Sequence, residues 1–120
     1  PNVNIKYPWF LKIGDYVWIG EAVWIDNLDI VEIGSHSCIS QGALILSGNH
    51  HYKKSSFDLV LKPIIIEDGV WIGAKAMVTQ GVRCGSHSIL AVGSIASNNL
   101  EAYKMYRGNP AIAIKDRRIG

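Results

Sequence analysis

The chain has 120 residues, 48% of them apolar and 18% charged, with a net charge of +2. That is the size of one domain with ample material for a core. It excludes a helical membrane span, since no run approaches the roughly eighteen unbroken apolar residues required. No secretory leader is visible, and the charge is too small to argue for nucleic acid as a partner.

Taken in chain order, the first elements share one phase. Ile13, Ile19 and Ile25 stand six residues apart, and Gly14 and Gly20 follow the first two. After Ile25 the step is eight residues, so Asn27 or its neighbours must bulge out. Ile33, Ile39 and Ile45 then restore the period of six. The next step, to Ile66, is twenty-one residues, and between them 47–63 loses the pattern altogether. From Ile66 the phase continues through Ile72, Val78, Cys84, Leu90 and Ala96. The segment Gly108-Asn109-Pro110-Ala111 and a basic tail close the chain.

A period of six fits neither an amphipathic helix, with its 3.6-residue repeat, nor a plain strand of strict alternation. It fits a strand interrupted by a bend. The fifth residue of each hexad is also apolar or small, as at Val17, Val23, Ser37, Ala43, Val70, Ala76, Val82, Ser88 and Ser94. A bulky inward residue beside a small one suits a narrow interior near a corner, and turn-forming residues often follow the aliphatic one. Three hexads make one triangular coil, stacked on the next at about 4.8 Å, the spacing of hydrogen-bonded strands. The expected fold is therefore all-β: a parallel β-helix shaped as a triangular prism, one domain over 1–120. About five coils are expected, with one protruding loop at 47–63 and a C-terminal capping segment.

Trp18, Trp24 and Trp71 occupy the sixth, outward position, which suggests either a subunit surface or a ligand platform. Cys84 falls at the inward phase and Cys38 at the outward one, so the pair is read as free thiols in a reducing compartment, which points to the cytoplasm. A solenoid gains nothing from a long excursion, and such loops are frequently functional. This one holds His50 and His51 after Gly48-Asn49. Histidine titrates near neutrality and can take a proton from a hydroxyl. Solvent-exposed filler is the competing reading. His36 and His87, at the fourth position, are read as ordinary surface residues.

The hexads, the Gly-Asn-His-His-Tyr loop, the segment Pro63 to Gly73 and the closing Gly108 to Ala111 resemble the hexapeptide-repeat acyltransferases over nearly the whole chain. The likeness is greatest to the sugar O-acetyltransferase branch, including the colanic-acid and exopolysaccharide enzymes. The resemblance implies a left-handed coil, an exception to the usual right-handed crossover. It implies a homotrimer with active sites between neighbouring prisms, acetyl-CoA as co-substrate, no metal, and a sugar or glycan-precursor acceptor. It also implies a further N-terminal segment ahead of the first coil.

Residue by residue, the resemblance assigns His50 as general base. His50 follows a Gly-x pair and stands thirteen residues before Pro63. His51 replaces the aspartate usual in close relatives, which leaves it as the rival. Asn27, Asn49 and His51 would contact the acceptor, although Asn27 reads equally as a turn residue. Trp71, Ala74, Val92, Ser97, Asn98 and Lys115 would hold the coenzyme. Lys115 would lie near its phosphates with Arg117 and Arg118 following, and a solvated tail explains the same charges. Three alternatives stand beside this reading. One is a serine or nucleotide-sugar acyltransferase of the same fold. Another is a zinc enzyme like the gamma-class carbonic anhydrases, which needs three converging histidines. The last is a non-enzymatic solenoid such as an ice binder, for which a single threonine, Thr79, is poor support.

Overall fold

A computed structural model describes residues 3–5, 10–27, 29–50 and 59–118. Strand β1 (Asn4–Ile5) precedes the first complete coil, which is β2 (Leu11–Ile13), β3 (Trp18–Ile19) and β4 (Trp24–Asp26). The second coil is β5 (Val31–Ile33), β6 (Cys38–Ile39) and β7 (Leu44–Leu46). A hairpin of β8 (Gly48–His50) and β9 (Leu59–Leu61) then leaves the stack. The third coil is β10 (Ile64–Ile66), β11 (Trp71–Ile72) and β12 (Met77–Val78). The fourth is β13 (Arg83–Cys84), β14 (Ile89–Leu90) and β15 (Ile95–Ala96), and an antiparallel hairpin, β16 (Lys104–Gly108) and β17 (Ala111–Asp116), ends the fold.

Successive coils pair in parallel and build three faces. The first face is β2-β5-β10-β13, the second β3-β6-β11-β14-β16-β17, and the third β1-β4-β7-β12-β15. The fold is thus a parallel β-solenoid of four complete coils with partial coils at both ends, rather than the five expected.

The period is explained by the packing. Ile19, Ile39, Ile72, Leu90 and Tyr106 are register partners in one inward column of the second face. Ile25, Ile45, Val78 and Ala96 form another on the third face. Ile33, Ile66 and Cys84 do the same on the first. All of these except Ile19 are buried. Ile13, expected to point into the core, is 45% exposed because its coil is the terminal one and no described coil covers that side. Cys84 is buried and Cys38 partly so; both are free thiols.

The glycine after each isoleucine has a different cause from turn geometry. A Cβ on Gly34 would stand 2.6 Å from the Asp68 nitrogen and 2.6 Å from the Glu67 carbonyl carbon. On Gly73 it would stand 2.7 Å from the Val92 nitrogen. Glycine is required because the next coil's backbone passes too close for any side chain. Gly34→Ala is therefore expected to destabilise the fold by about 1–3 kcal/mol, the cost of overpacking against a rigid wall. A urea midpoint unchanged in that variant would remove this explanation.

Register differences locate every irregularity at one corner. Partners in the first and second coils differ by twenty residues (Ile13↔Ile33), those in the second and third by thirty-three (Ile33↔Ile66), and those in the third and fourth by eighteen (Ile66↔Cys84). The surplus always falls between the third face and the first. That corner carries the eight-residue step at Asn27 and the loop. Ile5, the register partner of Ile25, begins a similar eight-residue step to Ile13 that the hexad reading did not include. The C-terminal segment caps as expected. Tyr106 is buried over the column, its hydroxyl accepts from the Glu101 N–H at 2.9 Å, and β17 extends the second face.

Candidate active site

Two surfaces carry the residues expected to function, and they lie on opposite sides of the prism. At the corner between the third and first faces, the backbone of Asn49 and His50 runs in β8, paired through Asn49↔Val60 and His50↔Leu59. The root of this hairpin is tightly held. The Ser47 N–H and hydroxyl both donate to the Asp26 carbonyl, at 3.0 and 2.8 Å, and the Lys62 N–H donates to the Ser47 carbonyl at 3.1 Å. The Ser47 hydroxyl also accepts from the Asp29 N–H at 3.0 Å, tying the short slip to the long one. Asn27 sits in that slip and is 0% exposed. In a single chain it is thus enclosed at the corner from which the hairpin leaves the stack. His51 lies outside the described residues.

The second surface is the outer side of the second face. Trp18, Cys38, Trp71, Ile89 and Met105 form one outward row by register. Trp71 is 48% exposed, and its indole N–H donates to the Ser40 hydroxyl at 2.9 Å, which fixes the ring across the row. An apolar slot of about 200 Å³ is lined by Trp71, Gly73, Leu90, Val92 and Met105 among others. It adjoins a wider groove of about 620 Å³ bounded by Trp71, Ile89, Met105 and the strap Lys115, Asp116, Arg117 and Arg118. Apolar walls at one end and cations at the other suit a ligand with an extended uncharged arm and a phosphorylated head.

Of the six residues expected at the coenzyme, the structure brings Trp71, Val92 and Lys115 to this groove. Ala74 lies at its edge, beside Gly73, with its carbonyl accepting from the Gly93 N–H at 2.9 Å. Ser97 and Asn98 do not join them. They are exposed and follow β15, at the corner between the third and first faces. Arg117 also departs from expectation, since its guanidinium donates to the Gly69 and His87 carbonyls at 2.8 and 3.1 Å. Ile89 and Met105 were missed. Ile89 stands at the same outward phase as Trp71, so the hexad already marked it. Met105 lies beyond the repeat, where the period has nothing to say.

The titratable groups off these surfaces have structural roles. Burial, and less so the charge of Glu67, pushes the Cys84 thiol up to about 12, so it is not a nucleophile at neutral pH. The Glu67 carboxyl is held below its ordinary range, chiefly by the Arg83 hydrogen bond at 2.6 Å, with the Ser86 hydroxyl and N–H adding to it. Among the described residues no three His, Cys, Asp or Glu side chains converge as a metal site would require. No described helix is long and apolar enough to cross a membrane.

No family model matches the chain. Individual proteins do. It is 36% identical over 117 residues to WcaF of Escherichia coli K12, provisionally named a colanic acid biosynthesis acetyltransferase, covering 98% of this chain. The chain spans 64% of that relative's length. The crystal structure of a hexapeptide-repeat acetyltransferase from Vibrio cholerae superposes with a TM-score of 0.91 at 26% identity, covering 98% of this chain and 68% of that one. The same Vibrio cholerae protein crystallised with acetyl-CoA superposes with a TM-score of 0.90 at 24% identity, over 98% and 66% of the two chains.

Proposed function

We propose that this chain, which resembles the hexapeptide-repeat acetyltransferases in sequence and in fold, moves an acetyl group from acetyl-CoA to a hydroxyl of a sugar or polysaccharide precursor. The observation that carries the reading is the groove itself. Trp71, Val92 and Lys115, far apart in sequence, meet along one continuous depression that is apolar at one end and cationic at the other. The pantetheine arm would lie against Trp71, Val92 and Met105, and Lys115 and Arg118 would face the phosphates. Trp71 cannot swing away without giving up its bond to Ser40.

His50 is the proposed general base. It would take the proton of the acceptor hydroxyl as that oxygen attacks the thioester carbonyl. The tetrahedral intermediate would then expel the coenzyme thiolate, which receives the proton. No acyl-enzyme is needed, in keeping with the inert Cys84. Much of the acceleration would come from holding two substrates together. Asn27, Asn49 and His51 are proposed at the acceptor.

In one chain the hairpin root and the groove are on opposite sides of the prism, so a base on the hairpin requires a groove from another copy. We therefore place the active site between chains of a homotrimer. The outward apolar rows of the second and third faces, Trp18-Cys38-Trp71-Ile89 and Trp24-Leu44-Met77-Ile95, offer the surface for such contacts. The test is release of free coenzyme thiol from acetyl-CoA across a panel of sugar acceptors, with light scattering on the same sample. Acceptor-dependent thiol release from a particle near three times 13.2 kDa is the expected result. A monomer that is fully active would sink the shared site.

A further inference from the structure

The strap that walls the groove is held where the solenoid offers backbone acceptors in a row. At the corner between the first and second faces, Tyr16, His36, Gly69, His87 and Tyr103 all have φ between 57° and 68°. Their side chains stack along the corner, Tyr16 on His36 at 5.2 Å and His87 on Tyr103 at 4.9 Å. Gly69 belongs to this column for a steric reason. A Cβ there would run into the His87 ring, so glycine lets the imidazole lie against the backbone of the neighbouring coil.

Arg117 fastens the C-terminal strap to this column. Its backbone N–H donates to the Tyr103 carbonyl at 2.7 Å. One guanidinium nitrogen, Nη1, donates to the Gly69 carbonyl at 2.8 Å and the His87 carbonyl at 3.1 Å. One residue thus bridges three successive coils, and both hydrogens of that nitrogen have protein partners. The location matters because the β16–β17 ladder ends at the pair Lys104↔Asp116. Lys115 and Asp116 are the last residues paired in that ladder, Arg117 and Arg118 run on past it, and all four border the groove facing Trp71, Ile89 and Met105.

We propose that Arg117 is a positioning residue that sets the outer wall of the coenzyme groove by clamping the strap to three coils, and is not itself a phosphate ligand. This deepens the coenzyme reading above and rests on it. An arginine tied to two carbonyls by one nitrogen has its plane fixed by the scaffold, and it orients its neighbours through the backbone. Lys115 and Arg118 are left exposed on the strap to meet anionic groups. Loss of the clamp would therefore weaken every part of the coenzyme's contact with the wall. Loss of a phosphate ligand would weaken only the contact with that phosphate.

The discriminating experiment is calorimetric binding of CoA and of 3′-dephospho-CoA to the unmodified protein and to Arg117→Ala, Arg117→Lys and Lys115→Ala. Arg117→Ala should weaken both coenzymes by the same factor, about tenfold, for the loss of two charge-assisted hydrogen bonds that hold the wall. Arg117→Lys, whose ammonium can still reach a carbonyl but lacks the fork, should fall between. Lys115→Ala should narrow the preference for CoA over 3′-dephospho-CoA, which Arg117→Ala preserves. Weakening of CoA alone in Arg117→Ala would overturn the proposal in favour of a phosphate contact. Binding of both coenzymes as in the unmodified protein would overturn it outright. If Arg117→Ala does not fold, equal weakening of both coenzymes in Arg117→Lys supports the proposal and unequal weakening refutes it. Failure of the unmodified protein to bind either coenzyme would instead refute the coenzyme reading beneath it.

Discussion

His50→Ala is expected to lower acetyl transfer by about 10²- to 10⁴-fold, the range for loss of a general base, while the fold and coenzyme binding persist. The fold should survive because β8 and β9 form a two-stranded sheet separate from the three faces of the stack. The coenzyme groove should survive because it is built on the second face, across the prism from the hairpin root. His51→Ala serves as the internal comparison and, with His51 at the acceptor, should raise KM for the acceptor with a smaller loss of kcat than His50→Ala. The pattern to watch for is kcat falling in His50→Ala with KM for acetyl-CoA nearly constant. Near-normal turnover in His50→Ala together with an inactive His51→Ala would transfer the role to the second histidine.

The largest effect on stability is expected from Ile39→Ala. Ile39 is 0% exposed and sits in the middle of its column, with Ile19 on one side and Ile72 on the other. Truncation should cost about 2–5 kcal/mol in lost burial and an unfilled cavity. The upper part of that range is favoured by the architecture. Each coil is fixed by backbone ladders to the coils on both sides, so the walls have little freedom to close around the gap. Against a typical total of about 5–15 kcal/mol, this is a serious loss. Ile13→Ala provides the contrast, because its side chain is 45% exposed at the end of the stack and has less to lose. Denaturant midpoints measured at one protein concentration would decide the matter. Equal losses in the two variants would mean that the column is not the principal source of stability.

Much of the fold was legible because a solenoid repeats one local environment. Isoleucine at every sixth position answers to a column of identical slots, and glycine after it answers to a neighbouring backbone under 3 Å from any Cβ at Gly34 and Gly73. Such constraints recur in sequence because they recur in space. The interruptions were legible too, since a step of eight or twenty-one residues stands out against six. Their common location at one corner became clear only from the register pairs.

The candidate site was legible in part. The outward phase marked Trp71 as a surface residue, and the structure put Val92 and Lys115 beside it in the groove. Asn27 shows where the sequence was insufficient. Its position in a slip suggested exposure, whereas the corner folds around it and leaves it fully enclosed. Arg117 shows the same limit for charge: three basic residues near the chain's end read as one cluster, but only a three-dimensional fold can bring the Gly69 and His87 carbonyls within 3.1 Å of one of them.

By itself, then, the sequence determined the period, the inward and outward phase of each residue, and the segment that breaks away carrying His50. These are legible because every hexad meets the same environment in the stack, so one constraint is written again in each repeat. The tertiary structure decided the rest: that every surplus residue leaves by one corner, that the groove lies across the prism from the hairpin, and that Arg117 is committed to backbone carbonyls. Those facts depend on stacking coils eighteen to thirty-three residues apart, and on a hairpin that folds back over them, at separations to which a local repeat is blind.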